Sequence, residues 1–345
     1  PKIYPEAESV SVFGGEELSP PQYGKVFITI KPFYGPYVPD SIKNNLNTLL
    51  RKYSVAGIVT EILDLKYLYV EAHVNAYYNP NLAANSDSVK TVITNNINTY
   101  ADSTEMNKYG AKFKYSKFQT VVDNSNNSIT SNITKIEIRR NLKPALNTNA
   151  EYELCFGNAF YIKNNDGYNI KSSGFNVFGV ANTVYLSDIP NEEGTMGTLF
   201  LFTLESRNNP KIVSSNVGTV DYQRGEILIE PINISNTSKQ VQNIPIIEVS
   251  ACPQSNDVIG LQDLYLQLDV NNSTVDMVAD NITSGDNTSG TLYTATSSYM
   301  IGDIARLTET EKQNTTLLSS DTYVVGSSSM PQPAPTGGAA AAPQY

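Results

Sequence analysis

The sequence predicts an α+β protein: a ferredoxin-like split βαβ domain, then a β-sandwich or barrel-like domain, then an irregular C-terminal tail. Two stretches alternate apolar and polar residues as half-buried strands do, Val26-Ile28-Ile30 and Leu68-Val70-Ala72-Val74-Ala76. Around them, apolar residues recur three and four apart, as on one face of a helix. From Asn147 onward the helical period disappears, and short apolar runs alternate with turn-forming residues.

Residues 1–25 read as a connecting segment with a short strand, a tight turn at Gly14-Gly15, an acidic pair and a stiff Pro20-Pro21 step. The first domain, 26–146, opens on the Val26 strand. Asp40 or Ser41 is placed to cap a helix whose stripe is Ile42, Leu46, Leu49, Leu50 and Tyr53, with Gly57 as its stop. Ile58 to Leu63 is a strand, and the Leu68–Ala76 strand follows. Asn79-Pro80 breaks that strand, and Ser86 is placed to cap a helix carrying Val89, Val92, Ile93, Ile97 and Tyr100. A short helix from Ser116 carries Phe118, Val121 and Val122, and a strand from Thr134 to Arg139 turns Ile136 and Ile138 inward. The order β, α, β, β, α, extra helix, β matches an antiparallel sheet covered by helices on one face. Its other face, bearing Tyr67, Tyr69, Glu71, His73 and Tyr77, is expected to meet water or another subunit.

The β-rich domain, 147–300, contains apolar runs from Glu151, Ala159, Phe175, Thr183, Thr198, Glu226, Pro245 and Leu264, with turn signals such as Asn165-Asp166-Gly167 and Gln223-Arg224-Gly225 between them. Residues 220–229 form its clearest hairpin pattern. The tail, 301–345, is low in apolar residues apart from a patch at Ser298 to Leu307, and such a tail orders only against a neighbour.

Composition narrows the function. The net charge is −10, from 24 basic and 34 acidic residues, which disfavours a nucleic-acid backbone as main partner. No apolar run has the length of a membrane span. Pro1 in place of Met, with no signal peptide, suggests the C-terminal portion of a longer chain. Cys155 and Cys252 have neither disulfide-framework nor metal-ligand spacing and are read as space-filling residues. His73 is the single histidine, so histidine triads and His-rich metal sites are disfavoured. Glu16-Glu17 and Glu192-Glu193 are read as solvated turn pairs, not as the two carboxylates of a glycosidase. Asp257, Asp263 and Asp269 recur every six residues but lack the glycine and terminal Glu of a calcium loop. No catalytic residue, cofactor or metal is expected. The Asn-x-Ser/Thr sequons follow from the Asn- and Ser-rich composition.

The run Phe13-Gly-Gly-Glu-Glu, Pro20-Pro-Gln-Tyr-Gly-Lys-Val-Phe-Ile, Lys31-Pro32, with the elements up to about residue 145, resembles the baseplate-J-like family of contractile-tailed phages, and within it the baseplate wedge proteins of T-even-like phages. That resemblance implies a non-enzymatic virion protein of the tail baseplate. It further implies a homodimer, dimers joined in a ring around the tail tube, docking of other wedge proteins, and a ring that rearranges when the sheath contracts. Rearrangement needs hinges. The positions expected to serve are Gly14, Gly15, Pro20 and Pro21, and the Arg140–Asn149 connection with Pro144. The exposed tyrosine-bearing face is the expected symmetric contact. The alternative is a host-glycan or receptor-binding module in the β-rich half.

Overall fold

A computed structural model describes residues 4–18, 20–35, 37–54, 57–83, 85–162, 169–206, 209–280 and 304–312. The α+β class holds, with three α-helices among eighteen strands in the described residues. Within that class, the strands of the split-βαβ pattern are divided between two sheets. The first is small: β1 (Ala7–Gly14) runs antiparallel to β2 (Lys25–Pro32), and β3 (Val59–Leu63) runs parallel to β2. A parallel neighbour requires a crossover, and α1 (Asp40–Arg51) supplies it. Its Leu46, with Ile42 and Leu50, packs on Ile30, Val38 and Ile62. Tyr53, expected on that stripe, lies beyond the helix end and is exposed, and no side chain caps α1, whose N-cap is Pro39. Gly57 has a left-handed φ of 94°, as the stop required.

The second sheet begins at β4 (Lys66–Tyr78), only two residues after β3. Helix α2 (Ser86–Ala101) follows, capped by the Asn85 carboxamide on Asp87 N at 2.9 Å and not by Ser86. Then come β5 (Lys112–Phe113), α3 (Tyr115–Asp123) and β6 (Ile129–Leu142), which pairs antiparallel with β4. The next strands, β7 (Asn149–Cys155), β8 (Lys171–Ser172), β9 (Phe175–Val177), β10 (Tyr185–Pro190), β11 (Met196–Ser206), β12 (Asn209–Asp221) and β13 (Glu226–Thr237), mostly build a third sheet ordered β10-β11-β12-β13-β7. The chain then returns. β14 (Lys239–Val241) and β15 (Ile244–Ala251) extend the second sheet beside β6, and β16 (Val258–Ile259) pairs β5. Finally β17 (Leu264–Leu268) and β18 (Thr274–Ala279) lie end to end, both parallel to β4. The second sheet therefore contains strands from both sides of residue 146.

One continuous core lies on the inner face of this sheet. Leu68, Val70, Ala72, Val74 and Ala76 of β4 and Ile136 and Ile138 of β6 pack on Val89, Ile93 and Ile97 of α2 and Phe118 and Val122 of α3. The same cluster continues through Ile247 and Val249 of β15 to Leu199, Leu201 and Ile227 of the third sheet. The apolar alternation of β4 thus marks the inner face residue by residue.

Candidate functional site

The polar positions of β4 and β6 share the opposite face, because directly paired residues point the same way: Tyr69 opposite Arg139, Glu71 opposite Glu137, His73 opposite Lys135. β15 adds Glu248 and Ser250 beside them. Between β17 and β18 the chain leaves β4 for one turn, Asp269 to Ser273. That turn is held by Asp269 N on Val70 O at 2.8 Å and Ser273 Oγ accepting Ala72 N at 3.0 Å. It lowers the Asp269 carboxylate onto the face.

Arg139 is the centre of what results. Its Nε donates to Glu71 Oε1 at 2.5 Å and its Nη1 to Glu248 Oε1 at 3.2 Å, and its Nη2 pairs with Asp269. The guanidinium stacks over Tyr69, 4.3 Å from the ring centroid. A second arginine, Arg306, reaches the same carboxylates from the segment 304–312. It is bidentate to Glu71 at 2.8 and 2.9 Å and donates to Glu248 Oε2 at 3.2 Å. Lys239 adds a bond to Glu248 at 2.5 Å. Glu137 accepts from Ser250 Oγ at 2.6 Å and lies 3.7 Å from His73 Nε2, while His73 Nδ1 meets Thr274 Oγ1 at 3.0 Å.

Burial on this face would raise the carboxyl pKa values, and the surrounding cations reverse that. Glu248 is held below its ordinary range by Arg139, Arg306 and Lys239, and Glu137 by His73, Lys171, Arg306 and Ser250. For Arg306, burial disfavours the charge, and Glu71, Glu137 and Glu248 more than restore it, so its pKa rises. These are anions and cations in mutual compensation, not a carboxyl pair with separated pKa values of the kind that acid–base catalysis uses.

Of the residues expected to form an exposed interface, Tyr67, Tyr69 and His73 remain partly accessible, whereas Glu71 is 1% exposed and Tyr77 3%. The expectation of an open face is therefore corrected at Glu71 and Tyr77. Alternation separates two faces but cannot announce that later parts of the chain close in on the second one, Arg306 at Glu71 and β18 beside Tyr77. Tyr67 stacks on Tyr69 at 5.4 Å and meets the edge of Tyr265. A cavity of about 380 Å³ remains beside Tyr67, Tyr69, Arg139 and Asp269, and another of about 490 Å³ beside His73, Glu137, Lys171 and Arg306. Glu71, His73 and Glu137 bring ligand-type atoms within 4.8 Å of one another, but the oxygens of Glu71 already hold two guanidinium groups.

The candidate hinge residues fall elsewhere. Gly14 and Gly15 lie in the β1–β2 hairpin, closed by Gln22 N on Gly15 O at 2.7 Å. A Cβ on Gly15 would stand 1.9 Å from Gln22 O, so the approach demands glycine. Pro20 and Pro21 are exposed in the same hairpin loop, and Pro144 is buried in the β6–β7 connection. No disulfide joins Cys155 and Cys252 among the described residues. Asp257 and Asp263 each face a different lysine, Lys114 at 2.8 Å and Lys66 at 3.5 Å. The Asn165-Asp166-Gly167 turn and most of the tail lie outside the described residues. No helix among the described residues is long and apolar enough to cross a membrane.

Sequence reasoning missed Arg139, Glu248, Asp269 and Arg306 as partners. A signal existed for the first: Lys135, Glu137 and Arg139 alternate with Ile136 and Ile138, so β6 carries charges on the same period as Glu71 and His73 on β4. For Arg306 the only signal was its place in the apolar patch Ser298 to Leu307, which marks a segment able to pack but not the partner it packs on.

Two family models match the chain. Residues 1–63 match the C-terminal domain I of the baseplate structural protein gp6, and residues 66–141 match its C-terminal domain III. The matches meet where β3 of the first sheet gives way to β4 of the second. They describe the gp6 protein and not the wider baseplate-J-like grouping. No curated protein matches the chain. These matches place the chain in the phage tail baseplate, within the virion, as a gp6-like structural component alongside other baseplate components.

Proposed function

We propose, from that place in the baseplate, that the chain is a wedge component that associates with copies of itself into dimers and a ring around the tail tube. In this reading it acts by contact and catalyses nothing. The observation that carries the reading is that one matched gp6 domain, 1–63, holds the whole first sheet while the other, 66–141, holds β4 and β6 at the centre of the second, the two docked on each other through a seam. Among the described residues the seam includes Tyr109 N on Ser9 Oγ at 3.2 Å, Lys31 5.9 Å from the Tyr265 ring and Lys143 4.5 Å from the Tyr37 ring. A ring that changes diameter needs stiff bodies joined by contacts that can repack, and cation–π and single hydrogen-bond contacts are of that kind. The two-residue link Asp64-Leu65 is the pivot this arrangement favours, alongside the β1–β2 hairpin and Pro144.

Light scattering of the purified chain at micromolar concentration tests the self-association: a dimer or larger species is expected, and monomer alone rejects it. Tyr67→Ser together with Tyr69→Ser should weaken that association, because both rings line the accessible part of the outer face. Unchanged association would remove this face from the contact.

A further inference from the structure

Residues 304–312 sit on the rest of the molecule as a peptide sits on its receptor. Ala305 and Leu307 fill a slot beside Tyr185, Phe200 and Phe202. Arg306 N donates to Ser172 O at 2.9 Å, and Arg306 bridges Ser173 in parallel register. Glu311 accepts from Thr308 N at 2.7 Å, from Ser238 Oγ at 3.0 Å and from Tyr185 OH at 3.1 Å. The side chain of Arg306 completes the ion network. Without it Glu71, Glu248 and Glu137 lose a guanidinium that stands 2.8, 3.2 and 4.0 Å from their oxygens.

We propose that this slot is the docking site for the 304–312 segment of a second copy, so that neighbouring copies in the assembly exchange their segments. The inference rests on the self-association proposed above and names the part that passes between copies. Three features support it. The slot and the segment complement each other in charge and shape by themselves, so the same contacts form whether the segment comes from its own chain or another. The segment follows β18 only after residues 281–303, a length of chain that spans up to roughly 75 Å, enough to reach a molecule alongside. And copies held side by side present each other's segments at high local concentration, which narrows the entropic advantage of the intrachain choice.

The test uses two full-length chains, both with Cys155→Ser to remove the half-exposed thiol. One carries Ser172→Cys and the other Ala305→Cys, neighbouring positions in the parallel bridge. Mixed under mild oxidation at a concentration where light scattering shows association, they are expected to give a disulfide-linked dimer containing one of each chain. Ser238→Cys with Glu311→Cys gives the same reading through a second contact if the first pair disturbs folding. The proposal is overturned if a chain carrying both substitutions closes its internal bond while the mixture gives no linked dimer. Association that persists without the link removes only the exchange, whereas a sample that is monomeric throughout removes the self-association as well.

Discussion

The two faces of β4 are built from the same thirteen residues and are stabilised by opposite means. The inner face presents Leu68, Val70, Ala72, Val74 and Ala76, each 1% exposed or less, to helices and a second sheet. Nothing there requires a particular partner, because apolar burial is non-directional and scales with area. The outer face presents Glu71 and, across the ladder, Glu137 and Arg139, which are almost as deeply buried. Every member needs a partner at one position, since a buried charge left alone costs several kcal/mol. The inner face tolerates substitution gradually; the outer face fails one group at a time.

The largest expected effect is on the outer face. Arg139→Met removes the cation that Glu71, Glu248 and Asp269 share and leaves carboxylates buried without it, which should lower stability by about 4 kcal/mol in urea titration. A loss under about 1 kcal/mol would mean that water reaches this face. On the inner face Leu68→Ala deletes buried methyl groups and leaves a cavity, with an expected loss of about 3 kcal/mol. High salt should change neither figure much, because both sites are shielded from mobile ions.

Acid separates the two kinds of burial by sign. Asp188, in the third sheet, is fully buried with hydrogen bonds from Tyr222 OH at 2.5 Å and Ile170 N at 2.6 Å and no cation partner among the described residues. Burial pushes its pKa from 3.8 up to about 6, against the opposing pull of those hydrogen bonds. The unfolded chain therefore ionises first, and stability from this group is present at low pH and lost as pH rises from 3.8 to about 6. Glu248 and Glu137 are depressed, so their contribution is present above the ordinary glutamate range and lost on acidification. Asp188→Asn should gain on the parent by up to about 3 kcal/mol between pH 4 and pH 7, apart from a constant offset for the altered hydrogen bonds. Parallel pH profiles for the two proteins would show that Asp188 is not buried as a carboxyl.

What was legible in the sequence follows the same division. The inner face could be read because period two and the spacing of Val89, Ile93 and Ile97 are properties of one element at a time. The α+β class and the helix positions come from such local patterns. The division of strands between two sheets was not local: β3 and β4 are separated by two residues, and their different sheets are decided by β17, β18 and β15, some two hundred residues away. The tyrosines of β4 were correctly placed on the polar side, yet whether that side meets solvent depended on Arg306. Aspartates at six-residue spacing looked like a set, and the fold sends each to a different cation because the turn after β17 belongs to β4 and not to its neighbours in sequence.

The smallest expected effect tests whether distance or burial sets the worth of an ion pair. Lys25 Nζ and Glu61 Oε2 bridge β2 and β3 at 3.1 Å, little longer than the 2.8 Å between Arg306 and Glu71. The side chains of the first pair are 41% and 46% exposed, against 13% and 1% for the second. Water and salt screen the first pair, and holding two long side chains in one geometry costs entropy, so a double-mutant cycle with Lys25→Ala and Glu61→Ala should return about 0.3 kcal/mol, falling further in high salt. The same cycle on Arg306→Ala and Glu71→Ala should return several times more and resist salt, because each single variant strands a buried charge that the double variant removes. Equal coupling energies in the two cycles would show that burial does not set the worth of these ion pairs.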